Sequence, residues 1–325
     1  MQSWPDIFEK FRKLNVLIIG DVMVDAYIWG AVERISPEAP VPIIAVRKRD
    51  FRLGGAANVA LNILSLGANP ILCGLSGQDD YGKKLLTLLE EKGLSKEGIV
   101  VSSSRPTTVK ARVIAAHQHV VRIDEESDAE ATSEEEGELW KRIEKLLPQC
   151  QVVIFEDYDK GVITPTLISK AVQLARAKGI PTVVDPKKRN FLDYLNVTLF
   201  KPNLKELRDG LKLEIEAQDS TAVEAAVEQV KKKLGAEGVM LTLSEHGIFI
   251  DYKNQKLTLP AHSREIADVS GAGDTVVSIA ALCTALQLPP LQIASLSNLG
   301  GGLVCQYVGV APINREELLK EANSL

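Results

Sequence analysis

The sequence predicts an α/β protein with a mostly parallel central sheet, helices on both faces and a small discontinuous β flap that serves as a lid. The main observation is that short β-branched runs alternate with longer segments of helical periodicity, which is typical of strands joined by right-handed crossovers. A second observation is that two stretches, at about 26–50 and 106–124, have strand periodicity and no helical segment beside them. We therefore expect residues 1–325 to form a single domain whose lid comes from these two stretches.

The parallel strands are predicted from compact apolar runs. Residues 16–20 are four aliphatic residues followed by glycine, a pattern typical of a strand that is buried on both faces. Runs of the same kind recur along the chain at residues 70–73, 151–155, 181–184, 198–201 and 239–243.

The intervening helices are predicted from apolar residues at helical spacing. Residues 56–66 have this spacing and stop at Gly67, and glycine commonly ends a helix. The same periodicity occurs at residues 81–92, 134–147, 164–178, 220–234, 275–286 and, as the last helical pattern, 316–322.

The lid is predicted as a small antiparallel unit. Residues 28–46 contain three prolines and end in a period-2 run, and residues 107–123 form two alternating segments, 108–115 and 119–123. A projecting flap of this kind must bury a face against a ligand or another subunit. We expect it to cover the substrate and to join two copies of the chain as a homodimer.

Composition excludes several classes of function. The chain has 38 Lys and Arg against 43 Asp and Glu, so it has no global attraction to nucleic acid or to an anionic membrane. Cys73, Cys150, Cys283 and Cys305 lie far apart without metal-ligand spacing, which favours thiols in a reducing compartment. The N-terminal residues have no secretory pattern and no apolar run is long enough to span a bilayer, so we expect a cytoplasmic protein.

The most informative motif is Asp268-Val-Ser-Gly-Ala-Gly-Asp274, directly before a long helical pattern. Gly271, Ala272 and Gly273 form a loop whose backbone can turn tightly, and the following helix start presents free N–H groups to an anion. Asp274 in that first turn fits a general base that takes a proton from a hydroxyl during phosphoryl transfer. A carboxylate that merely stabilises the helix start would explain Asp274 alone, but not the two glycines and Asp268 as well.

Other phosphate-binding motifs are missing. A dinucleotide fingerprint would need glycine at position 276, where valine stands, and the chain has no Walker loop. A second motif, Gly54-Gly55-Ala-Ala-Asn58, places an amide at a helix start, and such an amide can both donate to and accept from sugar hydroxyls. Alone it is weak, since two glycines before a helix are often only a turn.

Together these two segments closely resemble the two signatures of the ribokinase-like carbohydrate kinases, the PfkB family, and the resemblance covers nearly the whole chain. It includes Gly20-Asp21, Gly77-x-Asp79-x-x-Gly82 and Asn203-x-x-Glu206. The resemblance implies a ribokinase-like fold and a kinase that uses ATP and Mg²⁺, with a monovalent cation left open. Mg²⁺ keeps several waters, so an indirect site at Glu206 is chemically reasonable.

Within the family the sequence resembles the heptose 7-phosphate kinases, through residues 20–25, 34–43 and 105–112 and the motifs at 157–161, 184–187 and 244–247. Those enzymes phosphorylate C1 of D-glycero-D-manno-heptose 7-phosphate on the way to ADP-heptose for lipopolysaccharide. Two alternatives stay open: a kinase for another sugar or sugar phosphate, such as a hexose phosphate, and a non-catalytic sugar-binding regulator. Some heptose kinases continue into a nucleotidyltransferase domain, for which this chain has no room, so we expect a separate nucleotidyltransferase.

The resemblance also implies a role for each matching position. Asp274 would be the base and the backbone of Gly271, Ala272 and Gly273 the anion hole. The sugar would be bound by Asp25, Gly54, Gly55, Asn58 and Lys110, and its phosphate by the flap cations Lys110, Arg112 and Arg122. The nucleotide would be bound by Lys187, Lys201, Asn203, Glu206, Ser244, Gly247 and Asn298, and Lys160 and Lys187 would approach the transferred phosphoryl group.

Several positions depart from the heptose-kinase pattern. The flap segment Ala116-His-Gln-His119 replaces an arginine and paired amides, and its H-x-H spacing would bind a metal only with a third ligand that the sequence does not supply. Glu156 stands where serine is usual, and residues 299–301 replace an alanine-rich run. Lys201 replaces a threonine, and lysine there resembles the phosphofructokinase branch, where it helps to hold an ATP phosphate. These changes do not affect the residues expected to carry out phosphoryl transfer, but they leave the identity of the sugar open.

Overall fold

The computed structural model describes residues 3–115, 118–262 and 264–324, and the strands in these ranges form one nine-stranded and one four-stranded sheet. The strands are β1 (Asn15–Gly20), β2 (Val22–Ile35), β3 (Pro42–Gly55), β4 (Asn69–Gly77), β5 (Ile99–Ser102), β6 (Thr108–Ala115), β7 (Gln118–Glu125), β8 (Val152–Glu156), β9 (Thr182–Asp185), β10 (Leu199–Phe200), β11 (Gly238–Thr242), β12 (Ile248–Tyr252) and β13 (Gln255–Leu259). The helices are α1 (Trp4–Phe11), α2 (Ala56–Ser65), α3 (Asp80–Glu91), α4 (Ser133–Leu146), α5 (Pro165–Ala177), α6 (Leu204–Leu211), α7 (Ser220–Leu234), α8 (Ala272–Ala285), α9 (Pro290–Val304) and α10 (Arg315–Ala322).

The large sheet has the strand order β13-β12-β11-β10-β9-β8-β1-β4-β5, parallel from β5 to β11 and closed by an antiparallel hairpin. Side chains of β1 alternate between two hydrophobic cores: Val16 and Ile18 pack on one face, and Leu17 and Ile19 pack on the other. Because both faces are covered, β1 is apolar throughout. The predicted α/β fold with a mostly parallel sheet is confirmed.

The four-stranded sheet, called the lid below, has the order β3-β2-β6-β7. Its long strand β2 starts buried near the main sheet and becomes exposed as it leaves, and β3 returns from the exposed end and finishes buried at Gly55. Strand β6 has the predicted bounds, and β7 extends the predicted segment at both ends. One correction concerns its pairing, since β6 runs parallel to β2 and only the β2–β3 and β6–β7 pairs are antiparallel. Ala116 and His117, part of the noted H-x-H segment, lie outside the described residues.

Some elements were not predicted from the sequence. They are the hairpin of β12 and β13, strand β5, and helices α1, α6 and α9. Three consecutive glycines at 300–302 lie inside α9 and conceal its helical pattern. In the part of the chain that the structure describes, no helix is long and apolar enough to cross a membrane.

Candidate active site

Strand register brings a row of polar residues to one edge of the main sheet. Gly20 at the end of β1 pairs with Glu156 at the end of β8, and Glu156 pairs with Asp185 at the end of β9. Lys201 follows β10, beside Asp185. All four lie at the carboxyl ends of parallel strands, the edge where open α/β sheets bind ligands.

The glycine loop lies at the start of α8. Gly271 is its N-cap with φ of 82°, a backbone conformation that glycine adopts without strain, and it offers no side-chain acceptor to the first turn. Asp268 fixes the loop, because its two carboxylate oxygens accept the N–H groups of Ser270 and Gly309, each at 2.9 Å. The free N–H groups of the helix start are therefore held ready for an anion. This gives Asp268 a structural role that the motif alone did not define.

Asp274, the predicted base, is only 5% exposed. Its Oδ2 accepts a hydrogen bond from Nδ2 of Asn58 at 2.6 Å, and its Oδ1 accepts one from the hydroxyl of Tyr158 at 2.7 Å. Burial raises the pKa of Asp274, the two hydrogen bonds oppose that rise, and the nearby Asp185 carboxylate adds to it. Asn58 was predicted for this site, whereas Tyr158 was not.

Two lysines lie among carboxylates next to the loop. The ammonium of Lys201 is 2.9 Å from Oδ2 of Asp185, and that of Lys187 bonds Glu206 and lies 3.9 Å from Asp185. A Cβ built on Gly273 would lie 4.0 Å from the Lys201 nitrogen, so this cation lies beside the predicted anion hole. Burial opposes the charged forms, but Asp185 and Glu206 raise the pKa of both lysines, which therefore stay cationic.

Asn203 and Glu206 form a capping box at the start of α6. Oδ1 of Asn203 accepts the N–H of Glu206 and Oε2 of Glu206 accepts the N–H of Asn203, both at 2.8 Å. Asn203 precedes the helix and holds its first turn. No group of three metal-ligating side chains occurs within the described ranges, and Glu206 bonds Lys187.

Glu156 is a buried carboxyl group at the centre of the strand-end row. It is 1% exposed, and its Oε2 has no hydrogen-bond partner among the residues that the structure describes. Burial, followed by the charges of Asp185 and Asp274, raises the pKa of Glu156 well above its ordinary value. The residue that departs from the heptose-kinase pattern therefore lies within the site, next to the predicted base.

The sugar-side candidates lie where the lid joins the main sheet. Asp25 on β2 is buried, and a Cβ on Gly54 would collide with its carboxylate. Gly55 is the N-cap of α2 with φ of 56°, which starts the helix that carries Asn58. The two glycines thus allow Asp25 and Asn58 to approach the same end of the main sheet.

The predicted lid cations all have carboxylate partners. Arg112 bonds Asp25, Lys110 lies 3.3 Å from Glu126, and Arg122 lies 2.9 Å from Asp124. Lys160, expected near the transferred phosphoryl group, instead bonds Glu126 at 2.7 Å. Each of these four cations therefore has an acid beside it in the structure.

The nucleotide-side candidates lie at the far end of the sheet. Ser244 is in a 3-10 turn after β11, and Gly247 follows it before β12. Asn298 on α9 donates from Nδ2 to the carbonyl oxygen of Pro260 at 2.7 Å, and Gly247 packs against the same segment at the end of β13. Gly247 and Asn298 therefore line one region, which lies across the sheet from the lid.

Comparison with known proteins gives consistent matches. The model of the pfkB family carbohydrate kinases matches residues 13–317. The bifunctional protein HldE of Wolinella succinogenes is 38% identical over 318 residues, which cover 98% of this chain and 66% of that protein. HldE of Caulobacter vibrioides is 40% identical over 316 residues, covering 97% and 64%. The chain thus spans about two thirds of the length of these curated relatives.

Solved structures share the fold. Phosphofructokinase-2 of Escherichia coli in complex with fructose-6-phosphate superposes with a TM-score of 0.78 at 16% identity, covering 96% of this chain and 98% of that one. Ribokinase of Arabidopsis thaliana, complexed with ribose and ATP, superposes with a TM-score of 0.73 at 16% identity, covering 94% and 99%. At such low identity these likenesses establish the fold alone.

Proposed function

The chain belongs to the pfkB family of carbohydrate kinases, and from that premise we propose that it transfers the γ-phosphoryl group of ATP to C1 of D-glycero-D-manno-heptose 7-phosphate. The observation that carries the proposal is Asp274, buried at the start of α8 beside the glycine loop and oriented by two hydrogen bonds. The prediction of a carbohydrate kinase is confirmed at the level of the family. The particular sugar rests on the motif resemblance to heptose 7-phosphate kinases.

In the proposed reaction Asp274 takes the proton of the sugar hydroxyl as its oxygen attacks the γ-phosphorus. The bond between that phosphorus and the bridging oxygen of ADP breaks in line with the attack. Backbone N–H groups of Gly271, Ala272 and Gly273, with Lys201 beside them, stabilise the negative charge of the transferred group. Lys187 approaches the same group from the Glu206 side.

ATP and Mg²⁺ are the cofactors that the donor set supports. Glu206 would hold Mg²⁺ through water, and the ion would neutralise charge on the ATP phosphates. Asn203 orients Glu206 by the capping box, while Ser244, Gly247 and Asn298 would line the nucleoside. A requirement for a monovalent cation stays open.

We place the substrate phosphate at the lid. The cations Lys110, Arg112 and Arg122 bond acidic neighbours, and a substrate phosphate would compete for the same guanidinium and ammonium groups. Asp25 and Asn58 would bind sugar hydroxyls from the other side.

A homodimer through the lid is part of the proposal. The outer lid exposes a cluster of apolar side chains, with fractional exposure between 46% and 58% for Val32, Ile35, Val41, Val46, Val121 and Ile123. A strand surface with so many exposed aliphatic groups is suited to a second copy of the same sheet. Sedimentation velocity of the chain and of a Val121→Lys variant would test it, with dimer expected only for the former.

The nucleotidyltransferase step is assigned to a region or protein other than residues 1–325. The relatives are called bifunctional, and about a third of their length lies outside the match. Incubation of the kinase product with ATP should give no ADP-sugar until such an enzyme is added.

Substrate identity is tested by measuring ADP release with a panel of sugars and sugar phosphates. We expect the highest kcat/KM with the heptose 7-phosphate, because the lid supplies cations for its phosphate. Higher kcat/KM with a hexose phosphate would select the alternative kinase and would overturn the heptose assignment. Sugar binding by calorimetry with no ADP release from any member would indicate the non-catalytic regulator.

A further inference from the structure

Asp274 is held on both of its carboxylate oxygens by donors from different elements. Asn58 reaches Oδ2 from α2, and Tyr158 reaches Oδ1 from the segment between β8 and α5. A carboxylate oxygen has two lone pairs, so each donor leaves one lone pair on its oxygen for a further hydrogen. Two opposed donors fix both the rotation and the tilt of the group.

Tyr158 is itself held firmly at that position. Its backbone N–H donates to Oδ2 of Asp21 at 2.8 Å, and the same Asp21 carboxylate accepts the N–H groups of Lys160 and Val162 at 3.2 Å. The ammonium of Lys187 lies 5.5 Å from the centre of the Tyr158 ring. The main chain and the ring are therefore both restrained, and the hydroxyl is directed at Asp274.

From this geometry we propose that Tyr158 is a positioning residue for Asp274, which aligns the carboxylate toward the attacking hydroxyl through a hydrogen bond to Oδ1. The proposal rests on the proposed function in one respect, that Asp274 is the base. The role is one of positioning because Tyr158 acts through its contact with Asp274.

The charges around Asp274 explain why such a donor is needed. Burial and the carboxylate of Asp185 favour the protonated form, and Glu156 faces the same group from β8, whereas the hydrogen bond from Asn58 and the charge of Lys187 favour the ionised form. The Tyr158 hydrogen bond adds to Lys187 on the ionised side. Tyr158 keeps its own proton, because burial and the nearby Asp274 raise its pKa well above the ordinary value.

The test uses Tyr158→Phe, with Tyr194→Phe as a matched control. Tyr194 is fully buried, whereas Tyr158 is half-buried; the Tyr194 hydroxyl donates to a carboxylate oxygen of Asp157 at the same 2.7 Å and does not bond Asp274. Losing a hydrogen bond of about 1 kcal/mol should move the acid limb of the kcat/KM profile up by about half to one pH unit. kcat should fall about tenfold at pH 7 with KM for the sugar unchanged, whereas Tyr194→Phe should leave the limb in place.

A second measurement needs no substrate. Carbon-13 NMR titration of the ligand-free protein, labelled at aspartate carboxyl carbons and assigned with Asp274→Asn, should show the Asp274 midpoint rising in Tyr158→Phe. If no sugar phosphate is turned over, the proposed kinase activity is wrong, but this titration still tests the role of Tyr158. The two proposals can therefore be rejected independently. An unchanged midpoint in Tyr158→Phe, or an equal rise in Tyr194→Phe, would overturn the inference.

Replacement of Tyr158 by 3-fluorotyrosine covers the case in which Tyr158→Phe does not fold. The fluorinated phenol is a stronger donor of nearly the same size, so the Asp274 midpoint should move down. A midpoint that stays in place or rises would contradict the inference.

Discussion

The buried site at the edge of the main sheet and the lid beside it differ in how their charges are balanced. Among the described residues, the buried site gathers four carboxyl groups around two lysines, and its side chains are mostly less than a third exposed. The lid pairs three cations with three acids, and its outermost member, Arg122, is 59% exposed. The members of the buried site are Glu156, Asp185, Lys187, Lys201, Glu206 and Asp274, and those of the lid are Asp25, Lys110, Arg112, Arg122, Asp124 and Glu126.

Because of this difference, we expect pH to affect mainly the buried site and ionic strength to affect mainly the lid. In the buried site, desolvation dominates, so its excess of acids makes stability and activity depend on pH. In the lid, water and salt screen the exposed Arg122 and its pair with Asp124, so substrate binding by this cation depends on ionic strength, whereas Lys110 and Arg112 are largely buried. The proposed reaction uses both: a buried carboxylate as base, and lid cations that would exchange an acidic partner for a substrate phosphate.

The largest expected effect comes from the base. Asp274→Asn should lower kcat by about 10²–10⁴, because the amide cannot take the hydroxyl proton while its size preserves the packing. Steady-state ADP release measures this, and thermal unfolding of the same preparation serves as the folding control. Turnover at the wild-type rate would remove Asp274 from the role of base.

The second prediction compares how much the free energy of unfolding falls when one cation is removed from each region. Lys201→Met leaves the buried Asp185 without its close partner and should lower the free energy of unfolding by about 3–5 kcal/mol. Arg122→Met breaks a solvated pair with Asp124 and should lower it by about 0–1 kcal/mol. Urea unfolding at pH 7.5 measures both, and similar losses in the two variants would contradict the contrast.

The sequence alone predicted those structural elements that depend on the pattern of neighbouring residues. Apolar runs and helical periodicity predicted most of the parallel strands and most helices, and the glycine loop predicted the uncapped start of α8 with Asp274 in its first turn. Hairpin β12–β13 and helix α9 were missed, since the latter carries three glycines at 300–302 that local propensity disfavours and tertiary packing accepts.

Contacts between distant segments could not be read in the same way. The bond from Tyr158 to Asp274 joins residues 116 positions apart, and the packing of α8 against β8 brings them together. The partners of the lid cations depend likewise on the pairing of β6 with β2 and β7. Residue type indicated which charges matter, but not that each of these cations has an acid beside it.

The third prediction isolates the unpaired acid of the buried site. Glu156 has a raised pKa in the folded state, so the stability that it contributes is present below about pH 4.5 and is lost as pH rises through the folded value. Glu156→Gln removes this loss, and its free energy of unfolding should exceed that of the wild type by about 1–3 kcal/mol more at pH 8 than at pH 5.

Urea unfolding of both proteins at the two pH values measures this difference. The same exchange at the exposed Glu144 on α4 is the control and should give no pH-dependent difference. Equal pH dependence in Glu156→Gln and wild type would show that Glu156 is not the acid that makes the site pH-sensitive.

The smallest effect is expected at the edge of the lid. Arg122→Gln should raise KM for the phosphorylated sugar by about two- to fivefold at low salt, because an exposed cation contributes at most about 1 kcal/mol. The difference should disappear near 1 M salt, where the screening length falls to about 3 Å. An unphosphorylated analogue should show no change, and Lys141→Gln, which removes an equally exposed cation paired on α4, should leave both KM values unchanged. An Arg122→Gln effect that persists at high salt would mean that this arginine acts by packing, and the proposed contrast between the screened lid and the buried site would not hold.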